Sequence, residues 1–137
     1  MTVSAMLDYE NLVDLLLDRA KRQPDRVAYT FLQDGETESG CLTYAELDRQ
    51  ARAIAVKLQS LVPQDSKALV VYPYHAGLEF INAFFGCLYA GVVAVTDSPP
   101  RHSKAIAKLQ VRAVSSGAKV ALTTRLLLEQ IEAELAN

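Results

Sequence analysis

The run Phe84-Phe85-Gly86-Cys87-Leu88-Tyr89-Ala90-Gly91-Val92-Val93-Ala94-Val95 constrains the fold more than any other part of this chain. It reads as a buried helix that halts at a glycine and passes at once into a buried strand. Gly91 can hold a positive φ without the clash a Cβ would bring, which suits the residue just past a helix end. Val92 to Val95 is short, mostly β-branched and without polar alternation, the pattern of a parallel strand covered on both faces. Pro99-Pro100 then removes two backbone donors and blocks further ladder pairing. A helix-to-strand joint this apolar calls for a large α/β body around it, and 137 residues are short for the whole of one.

The remaining segments fall into the same alternation. Residues 1–8 read as a loose lead-in. Asn11 to Ala20 has apolar residues at helical spacing, and Pro24 ends that helix. Val27, Tyr29 and Phe31 alternate with less apolar neighbours and mark a strand; Asp34-Gly35 is a turn, and Glu36 to Leu42 returns as the second strand of a hairpin. Thr43-Tyr44-Ala45-Glu46 has the form of a capping box, with Leu42 and Leu47 at the two staple positions. The helix it opens runs to about Leu61, with Leu47, Ala51, Ile54, Ala55 and Leu58 on one face. Ala68 to Tyr72 is a buried strand ended by Pro73. The helix over 77–90 has only Glu79 and Asn82 as strongly polar residues, so most of its circumference must be covered. Ser103 is placed to cap a helix from about Lys104 to Ser116 that Gly117 ends. Lys119 to Leu122 is a third buried strand, and Thr123 or Thr124 starts a last helix. Helix, hairpin and helix, followed by three strand-helix units, predict an α/β fold. Its sheet is mostly parallel, flanked by helices on both faces, with a small N-terminal hairpin beside it. No repeat, linker or low-complexity tract divides residues 1–137, and a chain that stops in a helix is expected to be part of a larger domain.

Composition narrows the function. Half the residues are apolar, 22% are charged and the formal net charge is −2, so the chain is globular and has no basic excess for nucleic acid. No apolar run reaches the length of a membrane span, and Asp8 and Glu10 precede the first apolar stretch, unlike a signal peptide. Cys41 and Cys87 have no metal-ligand spacing, and the expectation is a reduced, cytoplasmic protein.

Gly86 and Gly91 have the spacing of the two glycines of a phosphate loop, but Val92 stands where lysine is needed and Gly86 lies inside a helix, so helix packing is preferred. Tyr74 and His75 follow the carboxyl end of a strand, where open α/β sheets bind ligands; an exposed turn is the plainer reading. Two distant histidines, His75 and His102, make no metal site. Arg101, Lys104, Lys108 and Arg112 form a basic helix edge, read as solvated unless an acidic partner meets it. Phe80, Phe84, Phe85 and Tyr89 could wall an apolar tunnel, but core packing is preferred. No constellation of nucleophile, base and acid is present.

Two segments resemble the first two core motifs of acyl- and aminoacyl-adenylate-forming enzymes: Leu42-Thr43-Tyr44-Ala45-Glu46-Leu47, and Gly86 through Val95. Gln23-Pro24-Asp25-Arg26-Val27-Ala28 resembles the segment that precedes the first strand in that superfamily. Gly77-Leu78-Glu79-Phe80-Ile81, Ala83 through Gly91, Pro99-Pro100-Arg101, Lys108-Leu109-Gln110 and Lys119 through Thr124 are similar to fatty acyl-AMP ligases in particular. The resemblance runs from about Asn11 to Leu128 and matches the first quarter or so of a typical member. Thr96-Asp97-Ser98 and Tyr72-Pro73-Tyr74-His75-Ala76 depart from the family pattern. Ser115-Ser116-Gly117-Ala118-Lys119 lacks the second glycine and most of the small hydroxyl residues of the family's phosphate loop, and a helix C-cap is preferred for it.

The resemblance implies a parent enzyme that activates a fatty acid with ATP and magnesium to an acyl-adenylate. It then passes the acyl group to the phosphopantetheine thiol of an acyl carrier protein. None of the family's catalytic motifs falls in these residues. The expectation is therefore no catalytic, cofactor-binding or metal-binding residue here, an inactive isolated segment, and self-association of its exposed apolar surface. The alternatives are a segment of an acyl-CoA ligase, a segment of a peptide-synthetase adenylation domain, or a non-catalytic interaction module.

Overall fold

A computed structural model describes residues 9–136, so the lead-in expected over residues 1–8 lies outside the described residues. Helix α1 spans Leu12–Arg22 and is capped by Asn11, whose side chain accepts from the Asp14 N–H at 2.8 Å. Strands β1 (Val27–Leu32) and β2 (Glu38–Thr43) form the expected antiparallel hairpin. Its turn is held by Asp34, whose carboxylate accepts from the N–H groups of Glu36 (2.9 Å) and Thr37 and from the Thr37 hydroxyl (2.9 Å). Those bonds hold the Asp34 carboxyl below its usual range. The hairpin departs from strict alternation. Register shifts between Val27 and Tyr29 and between Phe31 and Leu32 re-aim the side chains, so Ala28 and Phe31 turn inward while Val27, Tyr29 and Leu32 are exposed.

Helix α2 (Tyr44–Leu61) starts at Thr43, whose hydroxyl accepts from the Glu46 N–H at 3.1 Å and donates to the Glu46 carboxylate at 3.0 Å. Leu42 and Leu47 are buried in one cluster, as the staple reading requires. Ala51, Ala55 and Leu58 are buried along the expected face. Helix α3 spans Gly77–Ala90 after a short 3-10 turn over Tyr74–Ala76, and Glu79 is its one exposed residue among those described. It ends as the sequence predicts. Gly91 has φ 72°, its N–H bonds to the Leu88 carbonyl (3.2 Å), and the Val92 N–H bonds to the Cys87 carbonyl (2.9 Å). Gly117 repeats the motif at the end of α4 (Ser103–Ser116). The start of α4 differs from expectation. His102, not Ser103, is the cap, and its Nδ1 accepts from the Ala105 N–H at 3.2 Å. Of the two threonines before α5 (Arg125–Leu135), Thr124 is the one that caps.

Among the described residues, strands β3 (Lys67–Val71), β4 (Val93–Asp97) and β5 (Val120–Leu122) form a parallel sheet in the order β4-β3-β5. Strand β3 is central, and its two faces feed two cores. Ala68 and Val70 pack with Ala55 and Leu58 of α2 and with Ala83, Cys87 and Ala90 of α3. Leu69 and Val71 pack with Leu109 of α4 and Leu127 of α5. Helices therefore cover both faces, as the α/β reading requires.

Two of the three expected buried strands are corrected. In β5 no residue is buried: Ala121 is exposed, and Val120 and Leu122 are half-buried. Val92 to Val95 is not wholly buried: Val92 belongs to the turn and is buried, but Val93 is 49% exposed and Ala94 and Val95 are half-buried. Strand β4 has a hydrogen-bonded neighbour on one side only in this sheet, so its second edge lacks the cover a central strand receives.

Candidate functional site

Parallel pairing brings the carboxyl ends of β3, β4 and β5 to one edge, with Val71 opposite Asp97 and Val70 opposite Leu122. The loops that leave this edge carry Tyr74 and His75 after β3, Arg101 after β4 and Thr123 after β5. The hairpin joins them from the side. Phe31, Leu32 and Gln33 face Tyr74, His75 and Arg101 across an open groove of about 540 Å³ floored partly by Pro73 and Pro99. The Arg101 guanidinium carbon lies 5.8 Å from the Tyr74 ring centroid, within cation–π range, and this contact holds the cation over the groove. Phe31 is kept in place by the start of α3, where a Cβ on Gly77 would come within 3.2 Å of its ring. The Thr123 hydroxyl at the end of β5 is buried without a hydrogen-bond partner among the described residues.

The groove offers one guanidinium, one imidazole and an aromatic face. That set can hold an anion or a planar ring; its lining has no Ser, Cys or carboxylate to serve as nucleophile or partnered base. Sequence reading found Tyr74 and His75 but assigned Arg101 to the helix edge and missed Phe31 to Gln33. Phe31 to Gln33 lie more than forty residues upstream of Tyr74, and no local signal joins the two.

The other candidates resolve differently. Arg112 pairs with Asp97 at the end of β4, while Lys104 and Lys108 stand exposed on α4, so the basic edge is partly spent within the fold. The aromatic residues form a ladder. Tyr72 meets Phe80 edge-on at 6.4 Å, Phe80 stacks on Phe84 at 6.2 Å, and Phe84 meets the buried Phe85 edge-on at 5.7 Å. The Tyr89 hydroxyl donates to Asp48 Oδ1 at 2.8 Å, and Arg52 Nε donates to Asp48 Oδ2 at 2.9 Å. Burial first, then the hydrogen bond and charge of Asp48, keep the Tyr89 phenol protonated far into the alkaline range. Burial pushes Tyr72 up to about 12, with Cys87 and Glu79 adding to it, and pushes the Cys87 thiol up to about 11. Such a thiol is a packing group rather than a nucleophile at neutral pH. Cys41 is exposed on β2.

Neither glycine-based phosphate reading survives the geometry. Gly86 is buried against α2, where an added Cβ would lie 2.4 Å from Ile54 Cγ2. Ser115 to Gly117 close the C-terminus of α4, which presents carbonyl oxygens and the negative end of the helix dipole. Neither of these two segments forms a phosphate cradle. Among the described residues no three His, Cys, Asp or Glu side chains come together as metal ligands, and no helix is long and apolar enough to cross a membrane.

A parallel sheet covered on both faces, a hairpin beside it and the two motif segments at α2 and the α3–β4 joint define a part of an adenylate-forming enzyme fold. The chain belongs to the AMP-binding enzyme family, whose sequence model matches residues 16–137. It is 48% identical over 119 residues to the medium-chain-fatty-acid–[acyl-carrier-protein] ligase JamA of Moorena producens, covering 85% of this chain and 20% of that protein. The crystal structure of a fatty acid AMP ligase from Legionella pneumophila superposes with a TM-score of 0.84 at 33% identity, over 95% of this chain and 22% of that one. A fatty acyl-adenylate ligase from the same organism, in complex with acyl adenylate and pyrophosphate, gives a TM-score of 0.81 at 33% identity, over 94% and 22%. The chain thus spans about a fifth of the length of these relatives, corresponding to their N-terminal part.

Proposed function

We propose that this chain is a scaffold segment of a cytoplasmic fatty acyl-AMP ligase. In the whole protein a fatty acid carboxylate attacks the α-phosphorus of ATP, with magnesium offsetting the phosphate charge, and pyrophosphate leaves. The thiol of a carrier-protein phosphopantetheine then attacks the acyl carbonyl, and AMP leaves. The observation that carries this reading is the 48% identity to a ligase of that named activity across most of the chain. The alternative of an acyl-CoA ligase segment has weaker support, since relatives with fatty-acid–CoA ligase in their names are 29% identical over 124 residues.

Within that enzyme the 137 residues supply part of the sheet and both of its helical covers, and no catalytic, cofactor-binding or metal-binding residue. The misfit of Gly86 and of Ser115 to Gly117 to a phosphate cradle supports this division of labour. On its own the segment self-associates through the apolar side chains it leaves open. The test is a pair of assays with a medium-chain fatty acid and ATP. A full-length protein carrying this segment should form acyl-adenylate and load a carrier protein, while the segment alone should give no fatty-acid-dependent pyrophosphate exchange. Exchange by the segment, or an intact protein that forms no adenylate from any fatty acid, refutes the assignment.

A further inference from the structure

The layer formed by α4 and α5 is asymmetric in charge. Helix α4 carries Lys104, Lys108 and Arg112 and no acidic residue; α5 carries Glu129, Glu132 and Glu134 against the single cation Arg125. Both helices also show apolar side chains to solvent. Val111 and Val114 are 67% and 83% exposed on α4, and Leu128 and Leu135 are 45% and 51% exposed on α5.

The arrangement along each helix is regular. On α4, Lys104, Lys108 and Val111 follow at steps of four and three residues, which places them on one face opposite the buried Ile106 and Leu109. On α5, Leu128, Glu132 and Leu135 follow at the same steps, on a face turned from the buried Leu127. Lys104, Lys108, Glu129 and Glu132 are all exposed, and none is engaged in an ion pair among the described residues. Within the chain, therefore, a basic apolar stripe and an acidic apolar stripe lie on the same side of the sheet, and neither is satisfied.

We propose that this face is the docking surface for a second copy of the chain, in a two-fold pair that sets α4 of each copy against α5 of the other. A two-fold operator makes both contacts at once, so each basic stripe meets an acidic one and the exposed valines meet the exposed leucines. Pairing α4 with α4 sets lysine against lysine, and pairing α5 with α5 sets glutamate against glutamate. Charge thus selects the crossed arrangement. This inference rests on the self-association proposed above and adds the surface and the symmetry.

Sedimentation equilibrium of the 137-residue chain, from micromolar to millimolar concentration, reads the result. The wild-type chain dimerises, and added salt weakens the dimer. Lys108→Glu and Glu132→Lys each weaken it about five- to tenfold, since each reversal spoils both symmetry-related contacts. An equimolar mixture of the two variants recovers dimerisation. In the mixed pair the reversed α4 meets the reversed α5, and the native α4 of one copy meets the native α5 of the other. Both positions are exposed, so the variants keep their far-ultraviolet circular dichroism. A dimer indifferent to both reversals, or a mixture that stays as weak as its components, overturns the surface but leaves self-association standing. A strictly monomeric wild-type chain overturns both and assigns the face to another occupant, such as further polypeptide of a longer protein.

Discussion

Ile54 and Gly86 face each other across the crossing of α2 and α3 with no room for a methyl group between them. A Cβ built on Gly86 falls 2.4 Å from Ile54 Cγ2 and 2.7 Å from Ile54 Cβ. The helix interior favours alanine over glycine by about 1 kcal/mol, but overpacking in a closed contact costs about 1–3 kcal/mol. The overlap here involves the branched stem of a side chain rather than its flexible tip, so the steric cost wins. Gly86→Ala should lower the urea midpoint at unchanged slope. Gly86→Ala combined with Ile54→Ala should lose less than the sum of the two single losses. Strict additivity would show that the crossing is not the cause.

Cys87, the next residue of the same helix and buried in the core it shares with Ala55 and Leu58, sets an alkaline limit on stability. Its thiol ordinarily titrates near 9.0 and burial raises it to about 11 in the folded chain. Above pH 9 the unfolded chain loses this proton while the folded chain keeps it, so the folded state binds more protons and stability falls as pH rises. Between about pH 9 and 11 the fall comes from Cys87, and Tyr72, raised to about 12, extends it from about pH 10. Denaturation midpoints measured from pH 8 to 11 should decline in the native chain and decline less in Cys87→Ala. Equal slopes for the two proteins would reject this account.

Thr43 joins the end of the hairpin to the start of α2 through its bonds to Glu46. Removing an N-cap hydroxyl typically costs about 1 kcal/mol. Thr43→Ala should therefore destabilise the chain by about that amount and Thr43→Ser by much less, because serine keeps the acceptor. Thermal or urea unfolding checks this, and equal losses for the two variants would place the effect in the methyl group instead.

His75 and Arg101 test whether the groove contributes to turnover. Neither has a nucleophile or carboxylate partner in the groove lining. In a full-length protein with this segment, His75→Ala and Arg101→Ala should leave kcat within about threefold, as expected of groups that hold no reacting atom. Any effect should fall on KM. A hundredfold loss of kcat in either variant would move part of the chemistry to this edge.

The order of elements was legible because its signals are local. Thr43 and Glu46 stand three residues apart, Gly91 and Gly117 each end a helix by their own backbone freedom, and the apolar run over 77–90 needs only its own period to declare burial. Local signals also misled at two points. His102 took the cap assigned to Ser103 because its ring nitrogen reaches the Ala105 N–H one residue earlier in the chain. The alternation of Val27, Tyr29 and Phe31 did not survive two register shifts, which depend on how β2 pairs with β1.

The sequence alone thus determined the helices, the strands, most of their caps and the strand-helix alternation, since each follows from residues a few positions apart. Tertiary structure decided which strand became central, and so left Val93 exposed while Val70 is fully buried. It also decided that Phe31, Tyr74 and Arg101 share a groove, and that Ile54 is the residue Gly86 meets at the helix crossing. The physical reason is one of range. Backbone propensity and capping act within a turn or two, whereas burial and site geometry depend on neighbours brought in from tens of residues away.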